Sequence, residues 1–464
     1  MRTDALIYLH EAMTVEQEAL AQVRDSASID ADATVLATPD IHTGYGVPIG
    51  SILASPGFVS PAAVGYDINC GMRLMLTPFD ARSLDVKAVA DAIRRELPLG
   101  EGKANARFAL KPAELDKVLA EGLVGLCAAA RGRRELASFV DPEIISANLR
   151  RVEDGGALDG DPAAVSTRAK ERGAAQLGTL GGGNHFVEIQ EVERVDDGPA
   201  AAALGLRLGQ AVVMIHSGSR GLGHEVAGRY MRLAAATAKA LGLFIPNREL
   251  AYVPADHPDG RAFLGAMQAA ANYAYANREA IAAVVRSGFA RALGRDVFLP
   301  LVYDVSHNVV RRERHAGRAL YVHRKGATRA YPASLMRGTD FARLGQPVLI
   351  PGSMGTASYV LLGTESAAES LFSVNHGAGR VMSRTAAAGK VRRRDGKILK
   401  AGSVSDRRFE ETMRGVYLLC EDRSTIKEEA PDAYKDIDLV VDTVVGAGLA
   451  RVVARLRPLA VLKG

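Results

Sequence analysis

Five of the ten histidines, His42, His185, His216, His307 and His376, lie within a residue or two of Gly, Asn or Ser in short glycine-rich segments. The shared pattern is an apolar run, then His, then small polar residues. Such a strand end gives a metal ligand stiff support and leaves open backbone space beside it. Asp67 and Cys70, three residues apart in DINCG, place a carboxylate and a thiolate on one side of a tight turn. A thiolate has enough lone pairs to bridge two ions, so Asp67, Cys70, His185, His216 and His307 form an economical set for one or two divalent cations. Sulfur and nitrogen ligands favour zinc, whereas the carboxylate and open phosphate sites favour manganese or magnesium; ligand type leaves the metal open. The ordinary alternative for each histidine is a hydrogen-bonded imidazole. For a cysteine it is a small core residue, the reading that suits Cys127 and Cys420.

Phosphate-binding features surround these residues. GGGN (181–184), GSRGLG (218–223), GSMG (352–355) and HGAGR (376–380) offer runs of backbone N–H groups free of side-chain bulk, suited to anion nests. Turn formation alone explains any one of them; four in one chain, two with an arginine, are a stronger signal. Between Arg311 and Arg329 seven Lys or Arg face one acid, and 390–397 reads KVRRRDGK. Either run can be a solvated basic face or an approach for nucleic-acid phosphates. The residues thus point to a metal-dependent enzyme acting on phosphorylated, nucleotide or RNA, substrates.

The elements that must position these groups are legible in outline. Glycine numbers 47, above the usual ~7%, and gathers beside β-branched runs such as 211–215, 298–306 and 347–350, the pattern of loops at strand ends. Helical periodicity marks 85–97, 112–138, 224–242 and the Ala-rich 261–294. Residues 150–168 mix acid, Gly and Pro without period and read as a surface loop. The expected fold is α+β, one interwoven domain over 1–464: a β-sheet core, strand-end loops converging on a central cleft, and helices outside. With 464 residues, a net charge of +5 and 48% hydrophobic content, the chain is neither disordered, collagenous nor a coiled coil. No stretch reaches the ~18 apolar residues of a membrane helix, and three scattered cysteines make no disulfide framework. A cytoplasmic protein with reduced thiols and no membrane partner is expected.

In order and spacing, PDIHTGYGVPIG, VGYDINCGMRL, LGTLGGGNHFVEI, IHSGSRGLG, DVSHN, HRKGATRA, PGSMGTASY, NHGAGR and the terminal KG resemble the RtcB family of RNA-splicing ligases over nearly the whole chain. The resemblance implies a GTP-dependent and manganese-dependent ligase using two Mn²⁺ ions. It would join an RNA end bearing a 2′,3′-cyclic phosphate or 3′-phosphate to a 5′-hydroxyl end. By the same resemblance, His376 would carry GMP, Asp40 would hold its tautomer, and Asp67, Cys70, His185, His216 and His307 would ligate the metals with Cys70 shared. Asn184, His185, Phe186, Val187, Glu188, His307, Asn308, Pro351, Gly352, Ser353, Met354, Ser358, His376, Gly377, Ala378, Gly379, Tyr434 and Lys463 would contact the guanosine nucleotide. Arg220, Arg324, Lys325 and Arg329 are expected to meet RNA. Broken or intron-excised tRNA ends are the expected partners, with an archease-type activator. The competing readings are a binuclear RNA phosphoesterase that never forms a nucleotidyl enzyme, and a non-catalytic RNA-binding protein.

Overall fold

The strand Gln210–Ser217, sequence QAVVMIHS, is buried at all eight positions. A strand apolar on both faces belongs in the middle of a covered sheet. In the computed structural model, which describes residues 5–391 and 398–464, it stands between Gly71–Asp80 and Phe186–Val195 in a 13-stranded sheet. From one edge the order runs Ala5–Ile7, Thr34–His42, Ile49–Ser55, Arg318–Arg329, Leu301–His315, Gly71–Asp80, Gln210–Ser217, Phe186–Val195, Ala450–Lys463, Ser358–Gly363 and Pro347–Ile350. Ser373–Asn375 adds to Arg318–Arg329, and Tyr417–Cys420 to Ala450–Lys463. Hairpins such as Leu301–His315 with Arg318–Arg329 alternate with neighbours distant in sequence, such as Ile49–Ser55 with Arg318–Arg329 and Phe186–Val195 with Ala450–Lys463, as the interwoven α+β expectation requires.

The periodic segments form helices at Val86–Glu96, Arg220–Ala240 and Pro258–Leu293, while 112–138 divides into Pro112–Arg131, kinked at Gly122, and Arg134–Ala137. Pro258–Leu293 starts on a proline after the capping His257 and stops at Gly294 in a left-handed conformation, the usual start and stop signals. It is the exception to helices outside. Residues 269–285 of this helix are buried without a break, because alanines on every face let strands and helices close in around it.

The segment 150–168 is not the expected surface loop. It forms short 3₁₀ turns, and Val152 and Glu153 are buried. Leu158 N–H donates to Asn272 Oδ1 (2.7 Å) from the long helix. The physical reason is charge. Glu153 and Asp154 enter the interior to meet Arg311 and Arg329 (2.6–3.1 Å). Arg324 is fully buried and forked onto Glu313 (2.6 and 3.0 Å). Much of the basic run at 311–329 is therefore core, and Arg324 and Arg329 are spoken for by carboxylates rather than held out for RNA. Of the other basic run, 392–397 lies outside the described residues.

Candidate metal and nucleotide site

Strand register brings the site together. Gly71, one residue after Cys70, pairs antiparallel with Ser217 on one side and Ser306 on the other, so Cys70 lies level with His307 and diagonally across from His216, which pairs with Met72. Phe186, one residue after His185, pairs with His216. With strands roughly 4.8 Å apart, side chains at these adjacent ends meet. Cys70 Sγ lies 3.3 Å from His185 Nε2 and 3.2 Å from His216 Nε2, and His216 Nε2 lies 3.2 Å from His307 Nε2. Asp67 Oδ2 is 2.7 Å from His185 Nε2. Two donor groups result, Cys70–His216–His307 and Asp67–Cys70–His185, with the thiol common to both.

The donor set fits cations. Ligand atoms at ordinary bond lengths around one ion sit roughly 3–3.5 Å apart, the spacing of Cys70 with His185 and His216 and of His216 with His307, while Asp67 and His185 at 2.7 Å are in hydrogen-bond contact. Burial, followed by neighbouring histidines, holds His216 and His307 well below the usual imidazole range, so they are neutral, the ligating form. Their Nδ1 atoms are buried without hydrogen-bond partners, leaving Nε2 as the nitrogen engaged at the centre. Burial opposes ionisation of Asp67, but His185 and Arg220 outweigh it and lower its pKa. Burial and then Asp67 push the Cys70 thiol up; a coordinated cation reverses that sign by deprotonating the sulfur.

The supporting atoms are equally specific. His307 N–H donates to Cys70 O (2.7 Å), and Asn69 N–H to Asn308 O (2.8 Å). Asn308 donates through Nδ2 to Asp67 O (3.1 Å) and accepts from Gly326 N–H (2.7 Å). Asn69, Asn308 and Arg220 all have positive φ, a strain that clusters at functional sites. Only glycine is possible at 218, where a Cβ would stand 2.4 Å from Asp67 Oδ1.

His376 faces this centre, with its ring 4.8 Å from that of His307. Its Nδ1 is 2.7 Å from Asp40 Oδ2, and its backbone N–H donates to the same oxygen (3.2 Å). Asp40 is fully buried, and its other oxygen accepts from Thr38 Oγ1 (2.6 Å). Burial works against its charge, yet His376 and Thr38 lower its pKa. Ionised Asp40 thus fixes the proton on Nδ1 and leaves Nε2 with a free lone pair. Gly379, at φ +74°, closes the turn, and a Cβ there would meet Asp40 O at 2.2 Å.

A cleft of about 610 Å³ opens over these groups. Asn184, His185, Phe186, His307, Asn308, Pro351, Gly352, Ser353, His376, Gly377, Ala378, Gly379, Tyr434 and Lys463 line it, as do Arg220, Lys325 and His42. Val187, Glu188, Met354 and Ser358 are buried behind that lining. Glu188 Oε2 accepts from Gln190 Nε2 (2.6 Å), which also donates to Ser358 Oγ (3.0 Å). Arg220 begins the helix Arg220–Ala240, so GSRGLG is a helix N-terminus rather than an open nest.

Several participants escaped the sequence reading. Glu429 binds Tyr434, Arg380 (3.3 Å) and Arg384 (2.9 Å) on the cleft wall. Arg278 of the long buried helix donates to Asn69 O (2.7 Å) and Ser217 O (3.2 Å) and pairs with Asp304 (2.8 Å). It ties the backbone beside Cys70 to the backbone beside His216. The signal was present: Asn277, Arg278 and Glu279 are three consecutive polar residues inside YAYANREAIAAVV, where an apolar helix has no use for charge.

Comparison with known proteins agrees with this geometry. A family model described as tRNA-splicing ligase RtcB matches residues 22–464. The tRNA-splicing ligase RtcB of Archaeoglobus fulgidus is 41% identical, covering 100% of this chain and 95% of that protein. The one from Thermococcus kodakarensis is 43% identical over 92% of this chain and 86% of its own. The RNA-splicing ligase RtcB of Mycobacterium tuberculosis is 43% identical over 92% and 96%.

Proposed function

Because the chain belongs to the RtcB family, whose model covers residues 22–464, we propose that it is an RNA ligase. It joins an end bearing a 3′-phosphate, or a 2′,3′-cyclic phosphate opened to one, to a 5′-hydroxyl end. GTP is the activating co-substrate and two Mn²⁺ ions are the resident metals.

The observation that carries this reading is the Asp40–His376 pair beside the shared-thiol donor set. His376 Nε2, its lone pair exposed because Nδ1–H is held by Asp40, attacks the α-phosphorus of GTP. A nitrogen–phosphorus bond forms and the bond to pyrophosphate breaks, the logic of a positioned covalent nucleophile. Asp67, Cys70, His185, His216 and His307 hold the ions, which when bound supply positive charge for the phosphate oxygens. Lys463 and Arg380, both on the cleft lining, add charge at the nucleotide side, and Tyr434 borders the guanine. An oxygen of the RNA 3′-phosphate then takes GMP from His376, regenerating the imidazole and giving a diphosphate-linked RNA–guanosine end. Finally the 5′-hydroxyl attacks the RNA phosphorus and GMP leaves. A phosphate monoester has no good leaving group until a nucleotide is attached, which is the purpose of GTP.

The test is covalent labelling. Incubation with α-labelled GTP and Mn²⁺, followed by denaturation, should leave acid-labile label on the wild-type chain and none on His376→Ala. If wild-type protein hydrolyses RNA ends yet never carries label, it is a binuclear phosphoesterase and the ligase reading fails.

A further inference from the structure

The mouth of the cleft carries an aromatic cluster that the nucleotidyl-transfer chemistry leaves unused. Tyr45 and Tyr66 are 37% and 36% exposed, although both line the cleft. Their rings stand 5.7 Å apart edge to face, and Tyr66 stacks on His224 at 4.7 Å with an interplanar angle of 22°. These partly exposed rings stand beside a charged cleft and are open to an occupant.

This cluster is held still. Lys325 Nζ donates to Tyr45 O and Val47 O, both at 2.7 Å. Glu249 accepts from Gly46 N–H (3.1 Å) and Glu16 from Thr43 N–H (2.8 Å). Two buttresses on the loop and one on the Tyr45 backbone fix the chain that carries the exposed ring, which a solvated tip does not require. Tyr66 in turn is joined to Asp67 of the donor set, one Cα step of about 3.8 Å away. The same cleft is lined by Arg220 and by Arg172, which is exposed at the surface and shares Glu225 (3.2 Å), cations within reach of phosphodiester oxygens. Tyr434, the aromatic on the guanosine side, belongs to the separate neighbourhood of Arg380 and Glu429.

We propose that Tyr45 and Tyr66, backed by His224, form a stacking platform for the nucleobase at an unpaired RNA terminus, so that the attached terminal phosphate or hydroxyl is delivered to the centre at Asp67 and Cys70. This deepens the ligase reading and rests on it. Stacking on aromatic faces beside a positive groove is the sequence-tolerant way to hold single-stranded nucleic acid, and the platform accordingly selects frayed or looped ends over ends paired to the last base.

The test is a cycle between base and ring. Affinity is measured for short RNAs ending in a 3′-phosphate and, separately, beginning with a 5′-hydroxyl, each with a normal or an abasic terminal nucleotide. Proteins are wild type, Tyr66→Ala, Tyr66→Phe, Tyr45→Ala and Tyr45→Phe. On the strand that uses the platform, each alanine variant should bind the normal RNA about 5- to 100-fold more weakly, and each phenylalanine variant like wild type. The abasic RNA should lose about the same factor with wild type, with no further loss for the alanine variants. Coupling on either strand supports the proposal and identifies the end. It is overturned if alanine variants bind normal RNA like wild type, or if they weaken normal and abasic RNA alike. GTP labelling of wild-type protein is run in parallel: its absence sinks the ligase reading, while label without base–ring coupling sinks the platform alone.

Discussion

At the scale of single residues, the nucleophile proposed at His376 depends on a proton being kept on one nitrogen. Asp40 contributes charge and geometry at once, since it meets both the ring and the backbone N–H of His376. Asp40→Asn keeps the shape but can present an N–H to Nδ1, which favours the tautomer with the proton on Nε2. The attacking lone pair is then lost. Guanylylation of Asp40→Asn should fall by about 100-fold or more with the melting temperature little changed, as followed by label incorporation and calorimetry; an undiminished labelling rate would remove Asp40 from the mechanism. The convergence of Asp67, Cys70, His216 and their companions was legible because residue types suited to ligation stand out beside glycine. Glu429 and Arg278 were not, because a charged residue gives no sign in sequence of which distant backbone or side chain it will meet.

At the scale of elements, the centre is a matter of register, since a slip of one residue turns every ligand to the other face. The strands and most helices were visible in their periodicity, yet nothing local announces that Gly71 pairs with both Ser217 and Ser306. Arg278 enforces that pairing from the buried helix. Arg278→Met should destabilise the fold by about 2–4 kcal/mol, because Asp304 keeps only Arg73 (2.8 Å) and the buried carbonyls of Asn69 and Ser217 lose their charged donor. Arg278→Lys, which keeps a cation beside Asp304 without the guanidinium fork, should recover part of that loss in denaturant melts but not Mn²⁺ binding measured by calorimetry. Full recovery of both would make Arg278 a packing residue only. The strand Arg318–Arg329 contributes to the acid limit. His323 is buried, with Nδ1 2.8 Å from Leu53 O and Nε2 accepting from Ser60 N–H (3.0 Å), so no acceptor awaits a second proton. Burial lowers its pKa to about 4, below the unfolded value. The native state therefore binds fewer protons, and stability is full above about pH 6.5 and declines toward pH 4, by about 3 kcal/mol for this group. His323→Asn should flatten that part of the curve in urea melts; an unchanged slope would show that His323 does not set it.

At the scale of the whole molecule, composition misled in one respect. A run of seven cations facing one acid, followed along the sequence, looks like surface, and an acidic glycine-rich stretch 150 residues upstream looks like a loop. Each is the other's partner: opposite charges far apart in the chain neutralise one another inside, and only the fold reveals the match. That pairing bears on how the enzyme responds to its ionic surroundings. Arg311, Arg324 and Lys325 are buried and Arg329 nearly so, leaving Arg312, Arg314 and Arg318 in solvent. Were all seven to displace counterions from RNA, this hairpin would contribute roughly −5 to the slope of log affinity against log salt concentration; three can contribute no more than roughly −2. Replacing Arg312, Arg314 and Arg318 together with alanine should remove at most that much in a salt titration of RNA binding. This hairpin is thereby fitted to add little bulk electrostatic pull, and its share of any grip on RNA should relax only gradually as ionic strength climbs.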